Sequence, residues 1–165
     1  MSFDKTPRGT HGARMPSRAN AFTRLVSRLM VRQHRRSGDK FMGMDLLYLT
    51  TVGAKTGEKR FTPLSRFPDP DGGWLVVASS GGSAHHPSWY HNIAAHPDQI
   101  WVEVAGRQVR VSAEQLEGER REQAFQRIAA DQPRYAGYQQ KTDRVLPVIR
   151  LSPVPDSDAP PTGTR

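Results

Sequence analysis

Leu46-Leu47-Tyr48-Leu49-Thr50-Thr51-Val52, Gly53-Ala54-Lys55-Thr56-Gly57-Glu58-Lys59 and Arg60-Phe61-Thr62-Pro63-Leu64-Ser65-Arg66 follow one another without a break, and this stretch decides the fold. The first run is apolar and β-branched, the third alternates, and a glycine-flanked loop joins them, so both read as strands. A third strand, Trp74 to Ser79, follows the turn Pro68-Asp69-Pro70-Asp71-Gly72-Gly73, and its continuous apolar character predicts burial on both faces. A doubly wound parallel sheet needs regular strand–helix alternation, which is missing between residues 46 and 79.

Downstream, Ser80-Gly81-Gly82-Ser83 reads as a loop, and a short helix is predicted from about Pro87 to Ala95. Pro87 suits a first helical turn and Pro97 stops it. Ile100 to Val104 and Gln108 to Ser112 predict a hairpin around Ala105-Gly106-Arg107. A helix is expected from about Glu114 to Ala130, with Phe125, Ile128 and Ala129 inward, then a helical turn at Tyr135–Lys141 and a last strand at Val145–Leu151. Six strands on mostly short connections give a mainly β or α+β class: an antiparallel barrel with peripheral helices, over residues 41–152.

The ends differ from this body. Residues 1–16 read as a flexible arm, and 153–165, with four prolines, as a disordered tail. Over 17–36, Phe22, Leu25, Val26, Leu29 and Met30 share one helical face while Arg24, Arg28 and Arg32 line another, a basic amphipathic helix. Of the formal charge of +8, residues 1–40 account for all, with ten Lys or Arg against two acids; the remainder holds fourteen of each. A nucleic-acid-binding domain is expected to carry its basic residues on the folded body, so no nucleic-acid partner is expected. The amphipathic helix could cap the barrel or lie on an anionic membrane surface.

The chain has no Cys, which excludes disulfides, thiolate metal sites and a Cys nucleophile. No apolar run approaches a membrane span and residues 1–18 lack a signal-peptide core, so a cytoplasmic protein is expected. No Gly-x-Ser-x-Gly elbow supports a serine hydrolase. His85, His86 and His91 lack the three or four spacing of helical ligands and no carboxylate set lies beside them; no metal is expected.

Two constellations remain. The loop Gly53 to Arg60 gathers Lys55, Lys59 and Arg60 with two glycines, a cradle for an anion or an ordinary charged turn. It is not a phosphate-binding P-loop, because its Lys-Thr precedes the glycine. In the second, the strand ending Val77-Ala78-Ser79-Ser80 passes through glycines to the helix start Pro87-Ser88-Trp89-Tyr90-His91-Asn92, where unpaired N–H groups suit a phosphate or a carbonyl-rich ring. Trp89 and Tyr90 are equally candidates for core anchors, and Tyr135 with Tyr138 for a ring pair closing the barrel end.

These segments, with Tyr135-Ala136-Gly137-Tyr138-Gln139 and Thr142-Asp143-Arg144, resemble in order and spacing the deazaflavin-dependent nitroreductase family. The resemblance runs from about Leu46 to Pro153. It implies an antiparallel split β-barrel, a flavin-reductase-like roll, and reduced coenzyme F420 (F420H2) as hydride donor to a small-molecule acceptor: a quinone, enone or nitro-aromatic. It implies coenzyme contacts from Ala54, Lys55 and Thr56; from Lys59, Arg60, Phe61, Thr62, Pro63 and Leu64; from Val77, Ala78 and Ser79; and from Ser88, Trp89, Tyr90, His91, Asn92 and Tyr135. Tyr135, Tyr138 and Ser79 are the implied hydrogen-bond or proton donors. Ser80 stands where several relatives carry Lys, and Ser65 and Gln132 imply a more polar acceptor pocket, which favours quinones and enones as readily as nitroimidazoles. An FMN-dependent split-barrel oxidoreductase and a non-enzymatic basic membrane or nucleic-acid module are the alternatives. The oligomeric state is open.

Overall fold

The computed structural model describes residues 3, 5–14, 38–41 and 43–155, so the amphipathic helix expected over 17–36 and nearly all of the proline-rich tail lie outside the described residues. Among the described residues there are eight strands and three helices: β1 (Lys40–Phe41), β2 (Met44–Val52), β3 (Lys59–Ser65), β4 (Phe67–Pro68), β5 (Trp74–Val77), α1 (Ser88–Ala95), β6 (Trp101–Val104), β7 (Arg107–Gln115), α2 (Gly118–Asp131), α3 (Arg134–Gln140) and β8 (Val148–Pro153). A 3-10 turn covers Ser80–Gly82.

Every strand ladder among the described residues is antiparallel, and the isolated Ala13–Ser83 bridge is parallel. The strand order is β1-β2-β6-β7-β8-β5-β4, with β3 paired to β2. β3 approaches β5 without sharing a ladder with it, so the sheet curls into a barrel that stays split. Pro63 sits in β3, whose only ladder among the described residues is with β2; a strand with an open edge tolerates a residue that donates no hydrogen bond.

The core is in two parts. Inside the curl, Leu47, Leu49, Val76, Ile93, Ile100, Val102, Ile149 and Leu151 are almost fully buried, with Trp89 and Tyr90 of α1 packed among them. Between the sheet and α2 and α3, Phe67, Leu75, Val77, Phe125, Ile128, Tyr135, Leu146 and Val148 form a second cluster. Tyr48 is completely buried although its strand faces outward there, because Phe61 stacks on it with ring centroids 5.5 Å apart.

Besides the short β1 and β4, which were not expected, and β5, which ends at Val77 rather than Ser79, three segments depart from expectation. Glu114 and Gln115 belong to β7, opposite Arg150 and Ile149 of β8, so α2 starts only at Gly118. Their helix-compatible sequence yields to the pairing, and Glu114 uses its strand position to reach Arg120 at 2.8 Å and Arg150 at 3.8 Å. The last strand begins at Val148 rather than Val145, because Arg144 and Leu146 turn their side chains inward and Pro147 offers its carbonyl to the Ala78 N–H. The hairpin turn is Ala105-Gly106 alone, with φ of 51° and 75°, the paired left-handed geometry that matches strand twist.

Candidate functional site

The loop between β2 and β3 is closed by two backbone bonds, Gly53 N–H to Glu58 O and Gly57 N–H to Gly53 O, each 2.8 Å. A Cβ on Gly53 would stand 2.5 Å from Thr56 Oγ1, so the tight turn requires glycine there. Thr56 Oγ1 accepts the Glu58 N–H at 3.3 Å and an Arg60 N–H at 3.2 Å. Ala54, Lys55 and Lys59 are exposed, and the Lys59 Nζ lies 5.2 Å from the centre of the Trp101 ring. Arg60 also meets Glu58 at 3.0 Å, a surface pair that a stronger anion can displace. Lys55 and Lys59 are therefore presented to solvent at the turn and the start of β3, with Arg60 half-buried and paired beside them.

Asn92 joins this turn to α1. Its Oδ1 accepts the Ala54 N–H at 3.0 Å and its Nδ2 donates to Thr51 Oγ1 at 3.1 Å, with the side chain buried. The rest of α1 divides by face. Trp89 and Tyr90 are 4% and 1% exposed and belong to the core, whereas Ser88 and His91 face solvent. Partial desolvation, helped by His85 and Lys5, lowers the His91 imidazole below its usual range. Tyr90 donates to Gln115 Oε1, and its ring meets His86 and Phe3.

On β3, Phe61 is exposed, Thr62 and Leu64 are half-buried, and Leu64 packs against the inner core. Val77 and Ala78 are buried at the end of β5, and Ser79 is half-buried where the chain leaves it. Ser80 adopts φ of 44°, a left-handed conformation for a residue with a Cβ. Tyr135 lies within the second core cluster, edge-on to Phe67 and Tyr138, with Ser65 at the end of β3 near its phenol. Burial raises its phenol above the usual range. Tyr138, half-buried, has the Lys141 ammonium 5.8 Å from its ring centre.

The structure thus gathers the turn, β3 and α1 around Asn92, while Tyr135 lies in the second core cluster. Two features escape a reading of sequence alone. Arg144 is buried and binds the carbonyl oxygens of Ala78, Ser79 and Ser83. Residues 11–13 run beside Gly82 and Ser83 and are held by Thr142 and Asp143. The Thr142-Asp143-Arg144 triplet marks the place, but nothing in its spacing names its partners. Among the described residues no group of three His, Asp or Glu side chains is placed to hold a metal ion.

The sequence model of the F420H(2)-dependent quinone reductase family matches residues 22–153. The chain belongs to this family. It is an F420H2-dependent oxidoreductase, an enzyme whose cofactor is the reduced deazaflavin, and the FMN and non-enzymatic readings are not favoured. An F420H2-dependent quinone reductase of Mycobacterium tuberculosis (strain ATCC 25618 / H37Rv) is 37% identical over 109 residues, 64% of this chain and 72% of the relative. A solved F420-H2 dependent reductase is 41% identical over 65% of this chain and 93% of its own, with a TM-score of 0.58. A second solved chain, described as a domain-swapped dimer, is 36% identical over 80% of this chain and its full length, with a TM-score of 0.59. The split-barrel architecture agrees with these neighbours.

The residues present suit the coenzyme. Its phosphodiester and oligoglutamate tail is polyanionic, and Lys55 and Lys59 stand exposed, with Arg60 half-buried beside them, where the Gly53 turn enters β3. No helix among the described residues is long and apolar enough to cross a membrane.

Proposed function

We propose that the chain reduces a quinone, with enones and nitro-aromatics as further acceptors, using F420H2 held along the β2–β3 turn, β3 and α1. The observation that carries this reading is the Asn92 joint, which fixes the cationic turn and the α1 start as one surface. Lys55, Lys59 and Arg60 hold the anionic tail, while the wall from Val77 to Ser79 and the exposed face of α1 border the ring. When bound, F420H2 supplies a hydride from C5, and a proton completes the reduction of the quinone to a hydroquinone.

The protein's part is placement, exclusion of water and hydrogen bonding to charge that develops on the acceptor. Ser79, half-buried at the end of β5, is the donor best placed by its exposure. Tyr135 and Tyr138 border the same region from α3. Tyr135 is buried with its phenol raised, so it acts as a neutral hydrogen-bonding group, and solvent is the ready source of the proton. The same reading places the enzyme in the cytoplasm and brings the basic segment 17–36 to an anionic membrane surface, where lipid quinones are met.

Lys55→Ala combined with Arg60→Ala tests the site. The double variant should raise the F420 dissociation constant roughly tenfold or more, read by quenching of F420 fluorescence, because two charge-assisted contacts are lost. An unchanged constant would show that the tail binds elsewhere.

A further inference from the structure

Arg144 is 6% exposed, and among the described residues no carboxylate pairs with it. A buried guanidinium without a counter-charge is costly, so its hydrogen bonds must hold it in place. Nε donates to Ser83 O at 2.7 Å, Nη1 to Ala78 O at 3.0 Å and Nη2 to Ser79 O at 2.7 Å. Nη1 also meets His86 Nδ1 at 3.1 Å. Arg only donates, so this ring nitrogen is the acceptor, which assigns neutral His86 the tautomer protonated at Nε2. Burial lowers the guanidinium to about 10, and it stays charged at neutral pH.

All peptide bonds here are trans, so a carbonyl directed at Arg144 turns the next N–H the opposite way. The Ala78 and Ser79 carbonyls both point to the guanidinium; the Ser79 and Ser80 N–H groups therefore point away from it. The left-handed Ser80 that follows is a strained conformation which persists only when its surroundings over-determine it. A planar, forked cation with its N–H groups committed to three carbonyls supplies that restraint, and a lysine could not.

We propose that Arg144 is the positioning residue of the coenzyme wall: it fixes the peptide planes of residues 78–83 and the ring of His86, so that F420 meets a preformed surface. This rests on the F420 reading above. Thr142 and Asp143, in the same turn, clasp His11, so the wall and the segment at residues 11–13 share one anchor.

The test compares Arg144→Gln, Arg144→Lys and Arg121→Gln. Arg121 serves as control because it also binds a backbone carbonyl, Leu146 O at 2.8 Å, but from α2; it bonds none of the carbonyls of residues 78–83 and reaches Arg144 only through the Gln139 side chain. Three quantities are measured: F420 affinity by fluorescence, amide hydrogen exchange over residues 79–83, and KM for F420H2 against kcat. Arg144→Gln should raise the F420 dissociation constant roughly tenfold, with KM rising in step, and speed exchange across 79–83. Arg144→Lys, keeping charge but not the fork, should fall between, and it stands in if the Gln variant does not fold. Arg121→Gln should lower the Tm while leaving F420 affinity unchanged. If the Arg144 variants lose Tm as Arg121→Gln does, with affinity and exchange at wild-type values, the proposal is wrong. Failure of the wild-type protein to bind F420 would instead overturn the coenzyme reading itself, and this inference with it.

Discussion

Asn92 shows how one buried amide decides the shape of a site. Each end of its side chain has a single partner on a different segment, the Ala54 N–H on the turn and the Thr51 hydroxyl on β2. Asn92→Ala would leave the Thr51 hydroxyl buried without that donor and would free the turn. The expected loss is roughly 1–3 kcal/mol in urea unfolding, with weaker F420 binding in the same variant. A variant of wild-type stability and affinity would show that the turn keeps its place without the amide. In the sequence, Asn92 reads only as one of five residues at a helix start. Its role depends on Thr51, 41 positions earlier, and spacing along the chain carries no information about such a partner.

At the level of elements, the strands were legible where apolar alternation and turn residues agreed. β2, β3 and β5 are found near their expected places, and Ala105-Gly106 forms the hairpin turn its composition suggests. The errors fall where pairing across the sheet outweighs local preference. Glu114 reads as helical, yet the partners waiting on β8 extend β7 through Gln115. Trp89 and Tyr90, offered as either site or core, are buried in the inner cluster, since α1 must bury one face against the sheet. The segment from Ser80 to Ser83 was legible as a loop, but its rigidity was not. Gly82 has φ of 82°, and a Cβ there would lie 2.6 Å from Tyr138 O and 2.9 Å from Lys141 Cβ. α3 thus packs directly on the glycine backbone. Gly82→Ala should cost roughly 2–3 kcal/mol and lower the Tm by roughly 5–10 °C, measured by calorimetry. A variant melting with the wild type would show that α3 can withdraw freely.

The molecule as a whole separates its charge. Residues 41–165 are balanced, and the excess of eight lies in residues 1–40. The cations proposed to hold the coenzyme tail are a local cluster on a body of balanced charge, so the proposal assigns F420 binding to them and not to the basic segment 17–36. Replacing Arg24, Arg28 and Arg32 together with Gln should abolish sedimentation with anionic vesicles and leave the F420 dissociation constant unaltered. Retained vesicle binding would remove residues 17–36 from the membrane contact, and a weakened F420 constant would show that the two charge sets are coupled.

The segment at residues 11–13 has a further consequence. Ala13 donates to Gly82 O at 2.9 Å, and a Cβ on Gly12 would come within 2.1 Å of Ala84 N, so backbone meets backbone with no side chain between. Thr142 and Asp143 grip His11 from the other side. The beginning of the chain is thereby wedged between its middle and a turn near its end. A protease nick between residues 14 and 38 would not set this piece loose at once, because non-covalent contacts alone bind it to the remainder, as in a reconstituted two-fragment protein.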